Sequence, residues 1–260
     1  MPSRTITVTA LPAFTDNYLW MIHDEHHAVA VDPGDASVVD DWLQRQDLRL
    51  TAILLTHHHS DHIGGVTGLL ARHGAVPVIG HAQDAHRLPP LSTAVVDGDT
   101  VNVPGLDLAL QVLATPGHTV GHICYVGGGL LFCGDTLFSA GCGRMFEGTA
   151  EQFHQSLQRL AALPEDTQVF AAHEYTQGNL AFAASVTPDD AGVQQALQQV
   201  RQARANGERT LPSRIGWERR HNPFLRCGEA AFATWAGVAT PQPAAVFRAL
   251  RSAKDGFRGA

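Results

Sequence analysis

Hydrophobic residues in the first two-thirds of the chain alternate with polar ones or form short apolar runs between turn residues, a pattern typical of β-strands. This pattern predicts strands at residues 5–11, 18–22, 28–31, 52–56, 77–79, 107–113, 123–126, 130–133 and 168–171. Helical periodicity predicts helices at residues 37–46, 64–73 and 149–163, the last with Thr149 and Gln152 as a capping box. Strand clusters with few helices between them indicate an α+β fold of stacked sheets covered by helices.

The pattern changes after about residue 175. Helical signals dominate from there on, at residues 193–205, 229–237 and 243–253, and no strong strand signal remains. We therefore predict a first domain over residues 1–174 and a small all-helical C-terminal domain over residues 175–260.

Composition excludes several classes of protein. The chain has 260 residues, of which 44% are hydrophobic and 17% charged, so it can bury a sizeable core and is not expected to be disordered. No apolar run approaches the roughly 18 residues that span a bilayer, and the N-terminus is predicted to be a strand, not a secretion signal. The four cysteines lack C-x-x-C spacing, so we expect reduced thiols and a cytoplasmic location.

The net charge of −7 conceals two oppositely charged parts of the chain. Residues 1–200 carry 7 basic and 21 acidic side chains, whereas residues 201–260 carry 11 and 4. The basic part contains Lys254, the only lysine of the sequence. This division points to an anionic partner for the C-terminal part, although a solvated basic face is the alternative explanation.

Histidine is concentrated after one predicted buried strand. Residues 56–62 read Thr-His-His-His-Ser-Asp-His and stand between the apolar run 52–55 and the glycines that precede a helix. Because side chains alternate along extended backbone, His57 and His59 can face one point while His58 faces away, and Asp61 and His62 can face a second point. Imidazoles and a carboxylate at a strand end suit a cation such as zinc, so we predict a metal site.

Three more apolar runs end in a potential metal ligand. His118 follows the run 108–113, Asp135 follows the run 130–133, and His173 follows the run 169–172. Each is a weak signal alone, because a histidine at a strand end is more often a surface or core residue than a ligand. Their repetition predicts that ligands gather at one edge of the sheets.

These motifs resemble those of the metallo-β-lactamase superfamily, which carries H-x-H-x-D-H and a later His, Asp and His. Within it the chain is similar to the hydroxyacylglutathione hydrolase (glyoxalase II) family. The resemblance implies an αββα sandwich as the catalytic domain, followed by a helical glutathione-binding domain. The matching stretches are residues 14–18, 31–34, 56–62, 115–122, 134–138, 141–148, 173–176 and 222–224, with Arg251 and Lys254 near the C-terminus.

The resemblance implies two divalent metal ions per chain, with zinc expected first and iron or manganese as alternatives. One ion would be held by His57, His59 and His118, and the other by Asp61, His62 and His173. Asp135 would bridge them, since a two-oxygen carboxylate offsets the repulsion between two dications. We expect His58 and His122 to support the site and not to bind metal. Asp32 is either a turn residue or a hydrogen-bond partner of a ligand histidine.

The implied reaction is hydrolysis of the thioester S-D-lactoylglutathione to D-lactate and glutathione, the second step of methylglyoxal detoxification. A hydroxide bridging the metals would attack the carbonyl, Asp61 could accept its proton, and the thiolate needs no dedicated general acid. The residues expected to bind the substrate are Arg144, Phe146, Tyr175, Arg251 and Lys254. Relatives place a tyrosine at Phe146, so one hydrogen bond to glutathione would be absent here. We expect a monomer with no nucleic-acid or membrane partner.

Other functions on the same motifs stay open at this stage. A glutathione persulfide dioxygenase with one iron shares several of the ligands but typically lacks the helical extension. A β-lactamase would be secreted, and a metal-dependent nuclease would need a basic face beside the metals. A metal-binding module without catalysis would not need a bridging carboxylate. Oxygen uptake with glutathione persulfide, or one iron per chain, would support the dioxygenase. Absence of thioesterase activity in metal-replete protein would favour the metal-binding module.

Overall fold

The computed structural model describes residues 5–238 and 242–259 of the chain. They form two compact units. The first comprises the described residues up to Ala114 together with Gly121–Gly134, and the second comprises Thr115–Val120 together with the described residues from Asp135 onward. The expected domain boundary after residue 174 stays a prediction.

One sheet of the first unit contains six strands in the order of the sequence. The first three strands are antiparallel, and the third to the sixth run parallel. The second and third strands are buried almost throughout, as expected of strands covered on both faces. The strands are β1 (Thr7–Ala13), β2 (Asn17–His23), β3 (His27–Val31), β4 (Arg49–Leu54), β5 (Val78–His81) and β6 (Thr93–Val95).

Three helices accompany this sheet: α1 (Ala36–Gln46), α2 (Ser60–Ile63) and α3 (Val66–His73). Apolar side chains of α1 and α3, among them Leu43 and Leu69, belong to one buried core with residues of the sheet. The Asp35 carboxylate caps α1 by accepting from the N–H groups of Ser37 and Val38.

A second set of strands in the first unit is antiparallel: β7 (Thr100–Asn102), β8 (Ala109–Ala114), β9 (Ile123–Gly127) and β10 (Leu130–Gly134). Strands β9 and β10 form a hairpin and are joined by Gly128 and Gly129, both at positive φ. The buried Tyr125 hydroxyl of β9 hydrogen-bonds the Leu55 and Ile79 carbonyls beside β4 and β5, so the two sheets pack on each other.

The second unit is mostly helical, with four short strands. Its elements are β11 (Leu137–Phe138), β12 (Gly141–Cys142), α4 (Ala150–Ala161), β13 (Gln168–Ala171), α5 (Thr176–Val186), α6 (Ala191–Ala205), β14 (Ser213–Arg214), α7 (Ile215–His221), α8 (Ala230–Trp235) and α9 (Pro243–Gly256). Phenylalanine rings connect its helices: Phe153 of α4 and Phe247 of α9 lie 5.5 Å apart, and Phe224 contacts both Phe247 and Phe182.

Most of the expected elements are present. The nine predicted strands and the six predicted helices all occur within a few residues of their expected positions, and the α+β class is confirmed. The helix predicted at residues 64–73 corresponds to α3, and the short helix α2 before it was not predicted. The expected all-helical tail contains the two-residue strand β14. No helix within the described ranges has the length and apolar composition needed to cross a membrane.

Candidate metal centre and substrate cavity

The histidine-rich motif of the first unit follows the end of β4 and leads into α2. The His57 Nε2 and His59 Nδ1 atoms lie 3.0 Å apart. Two ligands about 2.0–2.1 Å from one tetrahedral ion would be roughly 3.3 Å apart, so this pair suits a shared cation. The Thr56 hydroxyl donates to Asp32 and lies 3.1 Å from His57 Nδ1, so it accepts from that nitrogen. This contact assigns the proton of His57 to Nδ1, so Nε2 is the candidate ligand atom.

Asp32 interacts with two histidines of this motif, with His62 directly and with His57 through the Thr56 hydroxyl. It is buried, and its Oδ2 atom lies 2.9 Å from His62 Nδ1 and accepts from the Thr56 hydroxyl, while Oδ1 accepts from the Thr56 N–H. Ligand atoms of Asp32, His57 and His62 all lie within 4.8 Å of one another. Of the two roles considered for Asp32, the structure shows the hydrogen bond to a candidate ligand histidine.

The remaining residues of the motif are held from outside it. The Asn17 side-chain amide donates to Asp61 Oδ2 at 2.9 Å. His58 turns away from the motif and lies 3.1 Å from the buried carboxylate of Asp84. The His122 ring stacks on that of His57 with 4.8 Å between centroids. These contacts favour supporting positions for His58 and His122, and their role stays a prediction.

The second unit presents a carboxylate between two histidines. His118 Nε2 lies 3.4 Å from Asp135 Oδ2, and His173 Nε2 lies 3.4 Å from Asp135 Oδ1. All three side chains are buried. Because each oxygen of Asp135 faces a different histidine, the carboxylate has the arrangement required of a ligand shared between two cations.

Neighbouring groups fix the orientation of both histidines. His118 Nδ1 donates to the Arg144 carbonyl at 2.7 Å, which leaves Nε2 facing Asp135. The His173 ring stacks on the Tyr175 ring at 4.8 Å, and the Phe138 ring meets it edge-on at 5.6 Å. This ordered support is typical of metal-ligating histidines.

A cavity of about 540 Å³ in the second unit is lined both by residues of this group and by several positively charged side chains. His118 and Asp135 line one part of it, and all five predicted substrate-binding residues line the rest: Arg144, Phe146, Tyr175, Arg251 and Lys254. The exposed Phe146 ring packs edge-on against the His118 ring, with 5.3 Å between centroids. An anionic ligand with a reactive group at a distance from its charges would suit this cavity.

Arg251 is held rigidly and is largely buried. Its Nη1 atom donates to the Cys142 carbonyl at 2.9 Å and to the Gly143 carbonyl at 3.3 Å, and its Nη2 atom donates to Asp255 at 3.0 Å. The side chain is 7% exposed. Arg251 therefore contributes a fixed positive charge and also anchors the segment that follows β12.

Lys254 can lose its positive charge when the pH rises slightly above neutral. Burial, reinforced by the charge of Arg251, lowers the pKa of its ammonium to about 8. The Nζ atom donates to the Gly178 carbonyl at 3.0 Å and lies 5.4 Å from the centre of the Phe257 ring.

The structure groups the predicted site residues by unit. His57, His59, Asp61 and His62 come together in the first unit, and His118, Asp135 and His173 come together in the second.

Sequence reasoning missed Asp255, which lines the cavity and pairs with Arg251 and with Arg144. Its place one residue after Lys254 was the available signal. Cys142 was also missed; burial raises the pKa of its thiol to about 11, so it is protonated at neutral pH.

Comparison with known families accounts for almost the whole chain. Residues 14–173 match the metallo-beta-lactamase superfamily, and residues 174–257 match the hydroxyacylglutathione hydrolase C-terminus. These matches confirm the expected fold, a metallo-β-lactamase segment followed by a helical C-terminal segment.

Individual proteins give the same result. The chain is 50% identical over 256 residues to a hydroxyacylglutathione hydrolase of Aeromonas salmonicida, covering 96% of this chain and 99% of the relative. It is 52% identical over 263 residues to one of Pseudomonas entomophila, covering 97% and 100%. Among solved structures, ETHE1 from Myxococcus xanthus has a TM-score of 0.64 at 29% identity, covering 96% of this chain and 98% of that one.

Proposed function

Because this chain belongs to the hydroxyacylglutathione hydrolase family of the metallo-β-lactamase superfamily, we propose that its hydroxyacylglutathione hydrolase (glyoxalase II) activity acts on S-D-lactoylglutathione. The products are D-lactate and glutathione. The observation that carries this choice of substrate is the cavity lined by His118 and Asp135 together with Arg144, Arg251 and Lys254. A glutathione thioester carries its reactive carbonyl apart from its two carboxylates, which matches this separation of reactive and cationic groups.

The His/Asp clusters are consistent with a dinuclear metal site of the superfamily. We assign one ion to His57, His59 and His118 and the other to Asp61, His62 and His173, with Asp135 shared. Imidazole nitrogens and carboxylate oxygens suit zinc, iron or manganese, so this donor set fits divalent ions, and we propose zinc. When bound, the ions would generate a nucleophile from water near neutral pH and polarise the thioester carbonyl.

The residues of the chain prepare this chemistry by fixing protons. Asp32 and the Arg144 carbonyl hold the Nδ1 protons of His62 and His118, so the Nε2 lone pairs of both rings are available as ligands. The Asn17 amide orients the Asp61 carboxylate, which is the candidate acceptor for the proton of the attacking water. The leaving thiolate is a weak base, since an ordinary thiol has a pKa of about 8.5, so it can depart unprotonated and take its proton from water afterwards. The reaction therefore does not require a general acid at this position.

Substrate recognition is assigned to the cationic part of the cavity. We propose that Lys254 and Arg251 attract the glycine carboxylate, that the Tyr175 hydroxyl donates a hydrogen bond, and that Arg144 and Phe146 contact the peptide portion. Arg251 and Lys254 stand three residues apart on α9, which supports their action on one group.

Removal of the shared carboxylate tests both the metal assignment and the reaction. Asp135→Ala should lose bound metal and reduce thioester hydrolysis to background, because neither cation would retain its shared ligand. Asp189→Ala, in an exposed loop, is the matched control and should keep both. Metal per chain by elemental analysis and hydrolysis of S-D-lactoylglutathione are measured in parallel. Full metal content in Asp135→Ala would contradict the shared role, and inactivity of metal-replete wild type would contradict the function.

We also propose a cytoplasmic location and a monomeric state. All four cysteines are buried thiols outside any disulfide, which suits a reducing compartment. The oligomeric state is open to direct measurement of mass in solution.

A further inference from the structure

Glu218, on α7, is a fully buried carboxylate outside the lining of the cavity. Its Oε2 atom accepts from the Ala140 N–H at 2.9 Å and from the Asn222 amide at 3.1 Å, and its Oε1 atom accepts from the Ser213 hydroxyl. Burial raises the pKa of the carboxyl to about 7, an effect that hydrogen bonds from Ser213, Ala140, Asn222 and Ser139 oppose. A buried acid with this many donors around it is built to accept hydrogen bonds.

The principal backbone partner of Glu218 belongs to an unfavourable turn. Leu137 pairs with Cys142 and Phe138 pairs with Gly141, so β11 and β12 form a hairpin whose loop is Ser139 and Ala140. Ala140 has a φ of 55°, in the left-handed region that favours glycine over an L-residue with a side chain. The turn therefore needs an outside interaction to keep this conformation.

Side chains from the helical part of the unit hold the tip of this hairpin. The Asn222 amide donates to the Phe138 and Gly141 carbonyls at 3.2 and 2.8 Å, and the Asn179 amide donates to the Ser139 carbonyl at 3.0 Å. Glu218 supplies the acceptor for the Ala140 N–H, and it also binds the Asn222 amide. Asn222 belongs to the Asn-Pro-Phe segment of the sequence, to which the catalytic assignment gave no role.

The hairpin connects directly to the site. Asp135 precedes β11 by two residues, and the Phe138 ring of β11 lies 5.6 Å from the His173 ring and 5.2 Å from the Tyr175 ring. At its other end, the Cys142 carbonyl accepts from Arg251. A change at the tip would thus be transmitted to the shared carboxylate and to the aromatic contact with His173.

We propose that Glu218 is a positioning residue that acts through Ala140: by holding the left-handed turn, it sets the hairpin that carries Asp135 and Phe138. It touches neither the cavity nor the candidate metal ligands. The effect expected on kcat rests on the proposed thioesterase function.

Three variants at two positions test this role. Glu218→Leu fills the same space without an acceptor, and we expect kcat to fall about tenfold while KM changes by less than about threefold, because α9 still carries the cationic residues. Glu218→Gln keeps one oxygen for Ala140 and can direct its NH₂ to the Ser213 hydroxyl, so it should stay within about threefold of wild type. Ala140→Gly removes the cost of the positive φ, so adding it to Glu218→Leu should restore much of the lost kcat.

Thermal melts and metal content of each variant accompany the kinetics. The proposal is overturned if Glu218→Leu folds and keeps wild-type kcat, or if Ala140→Gly gives no recovery. A leucine variant that does not fold, with or without Ala140→Gly, would show that Glu218 serves folding in general and would likewise overturn the assignment. An inactive but metal-replete wild type would contradict the thioesterase function alone, and metal retention in the same variants would still report on the placement of Asp135.

Discussion

At the scale of single residues, the candidate ligands are prepared by partners that fix the protons of their rings. The nitrogen Nδ1 is engaged in His57, His62 and His118, by Thr56, Asp32 and the Arg144 carbonyl respectively. The Nε2 atom of each ring is then the nitrogen without a proton, which is the form that binds a cation. Asp32 reaches two of these histidines, one directly and one through the Thr56 hydroxyl.

The lowered pKa of Lys254 predicts a pH dependence of substrate binding. The ammonium is mostly charged at pH 7 and mostly neutral at pH 9, since its pKa is about 8. Loss of this charge weakens attraction for a substrate carboxylate, so KM should rise by up to about tenfold from pH 7 to pH 9, with kcat less affected. Initial rates of thioester hydrolysis across this range measure both parameters.

The matched variant for this prediction is Lys254→Arg, whose guanidinium stays charged throughout the range. Its KM should be nearly constant between pH 7 and pH 9. An equal rise of KM in Lys254→Arg would assign the pH dependence to another group.

At the scale of elements, length and periodicity decide what the sequence reveals. Helices α4 and α9 have clear apolar stripes and were predicted, whereas α5 was missed because apolar residues occupy most of its circumference. Strands β6 and β14, with three and two residues respectively, are too short to show alternation. In the site, the local H-x-H-x-D-H spacing was informative, but the bond between Arg251 and Cys142, 109 positions apart, has no local signal.

The capping box of α4 is a local prediction that the structure confirms. The Gln152 N–H donates to the Thr149 hydroxyl at 3.2 Å, and the Thr149 N–H donates to the Gln152 side chain at 3.0 Å. Thr149→Ala should therefore lower the free energy of unfolding by about 1 kcal/mol, because the Gln152 N–H loses the hydroxyl to which it donates. Urea denaturation measures this, with Gln195→Ala on an exposed part of α6 as the control that should change little. Equal stability in both variants would exclude a contribution from the cap.

At the scale of the whole molecule, the basic C-terminal part uses much of its charge internally. The Arg219 guanidinium donates to the Ala161 and Leu163 carbonyls, and Arg226 pairs with Asp190 and Glu229. Other basic residues, Arg251 and Lys254, line the cavity. Asp255 offsets part of the positive charge there by pairing with Arg251 and with Arg144. The excess of arginine thus holds helices together and concentrates positive potential in one cavity, which favours a small anionic substrate.

The contribution of Glu218 to the stability of the whole chain should decline with rising pH. Its pKa is about 7 in the folded state against an ordinary 4.5, so the folded chain binds the proton more tightly. The resulting stabilisation is complete below pH 4.5 and is lost as pH rises through 7, by at most about 3 kcal/mol. Glu218→Gln cannot titrate, so its free energy of unfolding should fall less between pH 5.5 and pH 8 than that of wild type. Urea unfolding at both pH values compares the two proteins, and parallel pH dependences would show that the Glu218 pKa is not raised on folding.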